Sequence, residues 1–340
     1  MDLPTAHGPP PARGRIRSVP EDFVVDEVLG FEPDGAGTHL LLAVEKRGAN
    51  TAWVVGQIAR AAGVAVRDVG FAGHKDRHAL TRQWLSVPWP GDAPLEPLAT
   101  LAGDGFRVLS VHRHGRKLRP GSHHANQFHL RVRDVTGDPV ALESRLASIG
   151  ARGVPNYFGP QRFGRDAANL ARAREWAAAG RAPRGRGERG FALSSARSEL
   201  FNLVAASRVK RGDWDRLLPG EAVMLDGRRS FFHADAVDPA LEARCAALDL
   251  HPSGPLWGRG ASPATALAHE VEAEAVAAER ALCMLLESQG VEHERRSLRV
   301  PGRALEWALK DDVLALSFEL PRGAFATAVL HELLGDVADA

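Results

Sequence analysis

Strand-like segments at both ends of the chain enclose a helix-rich middle, and this order restricts the fold more than any other feature of the sequence. Alternating apolar and polar residues predict strands in "FRVLSVHRH" and "NQFHLRVRDV", and strand character returns in "EWALKDDVLALSFEL". Helical patterns lie between them, such as "SARSELFNLVAASRVKRG" and "ALAHEVEAEAVAAERALCMLLESQG". If both ends supply strands to one sheet, the middle is an insertion into the first domain, and an α+β fold is expected.

Several local patterns add detail to this outline. Asn50 precedes apolar positions at helical spacing, so a helix is expected to begin there. Residues 1–14 are rich in Pro and Gly and are expected to form a loose tail, and "APRGRGERG" is expected to be a flexible linker. The segment "DVGFAG" indicates a short strand that ends at Gly73, followed by a loop.

Basic residues cluster in two parts of a chain whose net charge is only +1. Residues 107–133 hold seven Arg or Lys and five His with no Asp or Glu, and residues 181–197 hold five Arg and one Glu. Acidic residues gather elsewhere, as in "HEVEAEAVAAE". This separation is typical of a protein that binds a polyanion on one face, and a solvated surface with uneven charge is the alternative.

The sequence lacks the features of a disulfide-stapled, secreted or membrane protein. The two cysteines, Cys245 and Cys283, lie among Ala and Leu, so buried free thiols are expected. The N-terminal residues have no apolar core, so we expect no signal peptide, and no apolar run is long enough for a membrane span. A cytoplasmic protein is expected, and nothing in the sequence demands an oligomer, so a monomer is expected.

Cofactor and hydrolase motifs do not occur in the sequence. Four histidines, His112, His114, His123 and His124, have no Cys or acid nearby to complete a zinc site, so we interpret them as surface donors to phosphate. The Gly-X-Ser-X-Gly elbow and the Gly-X-X-X-X-Gly-Lys-Ser/Thr phosphate loop are both missing. A metal site is therefore not expected, and the chemistry is expected to need no ATP.

A single acidic residue lies among basic residues in "FAGHKDRHALTRQW". Asp76 lies between Lys75 and Arg77, so it is expected to be ionised at neutral pH, and an ionised Asp can act as a nucleophile. Adjacent residues of an extended chain face opposite sides, so Lys75 and Arg77 need not contact Asp76. Their side chains could instead bind phosphates. The alternative is an ion pair that holds a turn, and spacing alone does not separate these readings.

The same stretch closely resembles the signature of the TruD family of tRNA pseudouridine synthases. Five further blocks resemble the family, in order along nearly the whole chain: "PEDFVVDEVLGFEPDGAGTHLLL", "RKLRPGSHHANQF", "GVPNYFGPQRFG", "SARSELFN" and "LPRGAFATAVLHEL". Six ordered blocks make chance agreement implausible.

The resemblance implies a fold and a set of site residues. It implies a pseudouridine synthase catalytic domain with a mixed, mostly antiparallel sheet, formed by residues 1–151 and 303–340, and an inserted α/β TRUD domain at 152–302. Asp76 falls on the catalytic aspartate of the family and Lys75 on the lysine before it. Four more residues match positions of the substrate site: Asn126, Phe128, Phe325 and Arg17, the last where relatives often have Lys.

The activity implied by the resemblance is the isomerisation of uridine to pseudouridine in tRNA, at position 13, without a cofactor. The uridine would be flipped out of its stack, with Asp76 as nucleophile or base. Phe128 and Phe325 would stack on the uracil, Asn126 would hydrogen-bond in the pocket, and the basic clusters would bind phosphates in the cleft between the domains. A non-catalytic RNA-binding or RNA-chaperone protein with the same basic cleft is the alternative.

Overall fold

The computed structural model describes residues 3–91, 93–180 and 186–335 of the chain. Its strands are β1 (Ala12–Arg15), β2 (Phe23–Val28), β3 (His39–Arg47), β4 (Gly70–Phe71), β5 (Leu80–Pro88), β6 (Ala102–Gly103), β7 (Phe106–His114), β8 (Ala125–Gly137), β9 (Val154–Pro155), β10 (Glu221–Leu225), β11 (Phe231–Ala234), β12 (Leu250–His251), β13 (Ser253–Leu256), β14 (Glu294–Ser297), β15 (Arg299–Val300), β16 (Arg303–Lys310) and β17 (Val313–Pro321). Its α-helices are α1 (Thr51–Ala62), α2 (Glu96–Ala99), α3 (Pro139–Arg152), α4 (Ala168–Ala178), α5 (Arg186–Arg211), α6 (Pro239–Ala246), α7 (Ala266–Val276), α8 (Arg280–Ser288) and α9 (Ala326–Leu334).

The described residues form two compact units. The sheet unit comprises Ala12–Asp138 and Arg303–Gly323, and the helical unit comprises the residues up to Pro11 with Pro139–Gly302 and Ala324–Gly335. Strands from both parts of the chain enter one sheet, because β17 pairs with β8 and β16 pairs with β17. The domain limits that the sequence suggested stay a prediction.

A ten-stranded sheet forms the frame of the sheet unit. Its order is β16-β17-β8-β2-β5-β3-β7-β6, with β1 beside β8 and β4 beside β5. The pair β2 and β5 is parallel, and the other pairs are antiparallel. The expectation of a mixed, mostly antiparallel sheet is therefore confirmed.

The alternation of β3 determines which face of the sheet α1 covers. Leu40, Leu42 and Val44 project to one side and share a buried core with Ile58 of α1. Burial of each such aliphatic side chain stabilises the fold by about 1.5–3 kcal/mol. The helix ends at Gly63, whose φ of 66° lies in the left-handed region that glycine adopts without a Cβ clash.

Helices supply most of the core of the helical unit. The long helix α5 packs against α4, α7 and α8, with Leu200 and Phe201 fully buried. The strands β10 and β11 form an antiparallel hairpin. Cys245 and Cys283 are buried free thiols, as expected. No helix among the described residues is long and apolar enough to cross a membrane.

The prediction of a loose N-terminal tail is wrong for the described residues of 1–14. The strand β1 pairs with β8, and the backbone N–H groups of Ala6 and His7 donate to the Glu332 carboxylate at 2.7 and 3.1 Å. These partners lie far away in the sequence, so the local Pro/Gly composition gives no sign of them.

Two helix predictions are also corrected. The expected single helix over "ALAHEVEAEAVAAERALCMLLESQG" is divided into α7 and α8 by a 3-10 turn at Ala277–Glu279. The helix α5 begins at Arg186, within the expected flexible linker, of which residues 182–185 lie outside the described residues. The helix α3 was not predicted at all.

Candidate active site

The loop between β4 and β5 carries Asp76 and is fastened through its backbone. The Lys75 N–H donates to Thr51 Oγ1 at 3.1 Å, and the Thr51 hydroxyl donates to Gln83 Oε1 at 3.0 Å. The Lys46 ammonium donates to the carbonyl oxygens of Lys75 at 3.2 Å and Asp76 at 2.6 Å. The sheet and the start of α1 therefore set the position of this loop.

The Asp76 carboxylate is held at both oxygens. Oδ1 accepts from the backbone N–H of His78 at 3.0 Å, and Oδ2 lies 3.0 Å from Nη2 of Arg17. The side chain keeps 30 % of its surface exposed. A carboxylate that is oriented, paired with a cation and still open on one side can act as a nucleophile or as a base.

Arg17 supplies the cation beside Asp76. Its guanidinium carbon lies 4.4 Å from the centroid of the Phe23 ring, and its side chain is only 10 % exposed. The Arg17 backbone has a φ of 57°, in the left-handed region that residues with a Cβ rarely adopt. The structure thus keeps an unfavourable backbone conformation at the residue whose guanidinium reaches both Phe23 and the carboxylate.

The basic side chains of Lys75 and Arg77, which flank Asp76 in the sequence, pair with other groups and not with the Asp76 carboxylate. Lys75 Nζ forms an ion pair with Glu27 Oε2 at 2.9 Å, and Arg77 Nε donates to the carbonyl oxygen of Gly48 at 3.1 Å. The cation that pairs with Asp76 therefore comes from a distant part of the sequence, and not from the neighbours that suggested an ionised carboxylate.

Glu27 is a residue of this site that the sequence analysis missed. Its side chain is buried, and Oε1 accepts from the backbone N–H of Trp84 at 3.1 Å. The Lys75 ammonium that pairs with Glu27 also donates to Oδ1 of Asn126, so β2 and β8 together hold Lys75. The alternation of β2 places Glu27 on the same buried face as Phe23. An acidic residue at a buried position of a strand is a pattern from which the sequence could have indicated a site residue.

The two predicted stacking residues lie in different units. Phe128 is 6 % exposed, and its ring lies 5.4 Å from Phe318 in a stacked pair and 6.2 Å from Phe23. Phe325 is the N-cap residue of α9 in the helical unit, with its ring 5.9 Å from Phe158. Both aromatic residues pack against other rings here, and their stacking on a uracil stays a prediction.

The acid-free segment 107–133 is only partly available to a polyanion. Three of its cations are engaged within the sheet unit: Arg107 by Glu45, Arg113 by the carbonyls of Pro90 and Ala93, and Arg133 by Asp22. Three others are exposed and form no ion pair with the described residues: Arg116, Arg119 and Arg131. Arg116 and Arg119 lie in loop 115–124, which is tied to the Asp76 loop because the Gly121 N–H donates to the Ala72 carbonyl at 2.7 Å.

The described residues include only part of the second basic cluster, residues 181–197. Residues 181–185 of this cluster lie outside them. Arg197 pairs with Glu294 at 3.1 Å and also donates to carbonyl oxygens of the helical unit. The phosphate-binding role of this cluster stays a prediction.

The expectation of four surface histidines is wrong for two of them. His114 is buried and lies 2.8 Å from Asp34 Oδ2. His123 is buried as well, and burial, assisted by the nearby Lys75 charge, lowers its pKa to about 4. A neutral imidazole cannot serve as a cation for phosphate, whereas His112 and His124 are exposed.

Comparisons with known proteins agree on one family. The family model described as tRNA pseudouridine synthase D (TruD) matches residues 6–172 and 189–333. The tRNA pseudouridine synthase D of Nitrosococcus oceani is 47 % identical over 328 residues, covering 96 % of this chain and 92 % of the relative. That of Methylococcus capsulatus is 48 % identical over 336 residues, covering 98 % and 94 %.

The fold also resembles that of solved structures, among them one from an archaeon. The crystal structure from Methanosarcina mazei, described as a tRNA pseudouridine synthase D, has a TM-score of 0.69 and covers 99 % of this chain and 95 % of that chain. Its sequence identity is 19 %, so this likeness supports the α+β fold and not the details of the site.

Proposed function

Because this chain belongs to the TruD family of tRNA pseudouridine synthases, and is thereby an isomerase that converts uridine to pseudouridine in tRNA, we propose that Asp76 is its catalytic carboxylate. The observation that carries the proposal is the geometry of this side chain. It is oriented through both oxygens, paired with Arg17 at 3.0 Å, and 30 % exposed.

The reaction rearranges bonds within one nucleotide. The bond between N1 of uracil and C1′ of the ribose breaks, the base turns, and C5 bonds to the same C1′. C5 loses its proton and N1 gains one, so no electrons or atoms are exchanged with a cofactor. An aspartate can serve this rearrangement by attack at C1′, by attack at C6 of the base, or by removal of the 2′ proton.

The roles of the other predicted site residues rest on their contacts for three of them and on the resemblance for two. Arg17 orients the carboxylate, and Lys75 and Asn126 support the loop that carries it. Phe128 and Phe325 are proposed to flank the flipped uracil on the strength of the resemblance. We also propose a monomer that works in the cytoplasm on tRNA position 13.

Loop 115–124 is proposed to hold phosphates next to the reacting nucleotide. Arg116→Gln with Arg119→Gln is expected to raise the Kd for tRNA by about tenfold at low salt and to lower the slope of log Kd against log salt by about one to two. Arg107→Gln is the matched control, because Arg107 is equally basic but pairs with Glu45. An equal effect from Arg107→Gln would contradict the assignment to this loop.

The site of modification is tested in cells that lack the protein. Chemical mapping of their tRNA is expected to show uridine at position 13, and expression of the wild-type chain is expected to restore pseudouridine there. Restoration at another position would disprove the proposed site. Restoration by the Asp76→Asn protein would show that Asp76 is not the catalytic carboxylate.

A further inference from the structure

The strand β3 has a lysine at a position where its alternation favours an apolar residue. Leu40, Leu42 and Val44 project into the core beneath α1, and Lys46 is the next residue on that face. Lys46 is only 1 % exposed. A buried ammonium is unfavourable unless hydrogen bonds replace its hydration, so the partners of Lys46 indicate what it does.

Three carbonyl oxygens surround the Lys46 ammonium. Nζ lies 3.0 Å from the oxygen of Ala49, 3.2 Å from that of Lys75 and 2.6 Å from that of Asp76. The last two carbonyls belong to the peptide groups on either side of the Asp76 Cα. Because each peptide group is planar, fixing both carbonyls fixes φ and ψ of Asp76 and hence the direction of its Cα–Cβ bond.

We infer that Lys46 is a positioning residue, whose ammonium holds the backbone on both sides of Asp76 so that the carboxylate meets the uridine in a reactive orientation. The inference rests on the proposed role of Asp76. Lys46 acts from the core beneath the loop, through the protein backbone, and does not contact the substrate.

The environment of Lys46 makes this function sensitive to pH. Burial is the main effect and lowers the pKa of Lys46 to about 8; the Asp76 carboxylate favours the ammonium, and the Lys75 ammonium opposes it. The neighbours across the sheet, Thr81 on β5 and Phe106 on β7, are uncharged. Above pH 8 the neutral amine has two donors for three carbonyls, so the hold on Asp76 weakens and turnover falls.

Stability and turnover are expected to change in opposite directions over this range. The pKa of Lys46 is lower in the folded chain than its ordinary value of 10.5, so the unfolded chain binds more protons between these two values. Raising the pH from about 8 to about 10 therefore makes the contribution of Lys46 to stability more favourable. A lysine with a purely structural role would not lower turnover over the same range.

The variant Lys46→Met tests the inference, because it keeps a long apolar side chain and removes the ammonium. The kcat for pseudouridine formation is expected to fall by about 100-fold, the scale of a misplacement of roughly 1 Å. The Kd for tRNA should stay within about threefold, and the decline of kcat above pH 8 should disappear. Lys310→Met, at an exposed position of β16, is the control and should change none of these quantities.

Different outcomes test the role of Asp76 and the role of Lys46. Activity of an Asp76→Asn protein assayed in parallel would refute the proposed function, whatever Lys46→Met does. If Asp76→Asn is inactive, the role of Lys46 is overturned by a kcat of Lys46→Met within about threefold of wild type, or by an alkaline decline that persists in it. If Lys46→Met does not fold, the wild-type profile decides: a fall centred near pH 8 supports the role, and a constant kcat from about pH 7 to about pH 9.5 overturns it.

Discussion

Asp76→Asn is expected to abolish pseudouridine formation, with a rate decrease on the order of 10³-fold or more, while the Kd for tRNA stays within about threefold. The amide keeps the size of the side chain and can still accept the hydrogen bond from the His78 N–H. It lacks the negative charge that pairs with Arg17 and the nucleophilic oxygen. Product is measured by chromatography of nucleosides after single turnover, since pseudouridine and uridine have the same mass.

The competing explanation is that Asp76 only holds its loop through the ion pair with Arg17. In that case Asp76→Asn and Arg17→Met would lower the melting temperature by similar amounts, and activity would fall only with the folded fraction. Asp104→Asn, at an exposed acid between β6 and β7, is the matched control and should leave both activity and melting temperature unchanged. A well-folded Asp76→Asn protein without activity contradicts the purely structural role.

Removal of one partner from the buried pair of Glu27 and Lys75 is expected to have the largest effect on stability. Glu27→Gln leaves the mostly buried Lys75 ammonium without its carboxylate. Such a change costs about 3–5 kcal/mol, because the remaining charge is buried without compensation. The free energy of unfolding from urea titration measures the loss, and turnover should fall as well, since Lys75 belongs to the Asp76 loop.

A double-mutant cycle separates the ion pair from general damage to the core. Glu27→Leu with Lys75→Met removes both charges and should be more stable than either single variant, because neither charge is then left alone. Glu292→Gln breaks the exposed pair with Arg259 and should cost less than about 1 kcal/mol. Additive losses in the Glu27 and Lys75 cycle would show that the two side chains do not stabilise each other.

Much of the sheet unit follows from local pattern. The alternation that indicated strands in "FRVLSVHRH" and "NQFHLRVRDV" corresponds to β7 and β8, and strand character near the C-terminus corresponds to β16 and β17. A period of two is a property of a single strand, so sequence reveals it without knowledge of any partner. The order in which the strands pair is not a local property of the sequence. The strand β17 lies beside β8 although 175 residues separate Gly137 from Val313.

The sequence by itself singled out Asp76 as the candidate carboxylate and assigned the α+β fold, because motif and periodicity are local properties of the chain. Only the tertiary structure decided which groups surround Asp76. Its cation is Arg17, the neighbouring Lys75 pairs with Glu27, and Lys46 holds its backbone from the core. These partners meet because strand register and loop closure bring distant segments together, and no local pattern encodes such a choice.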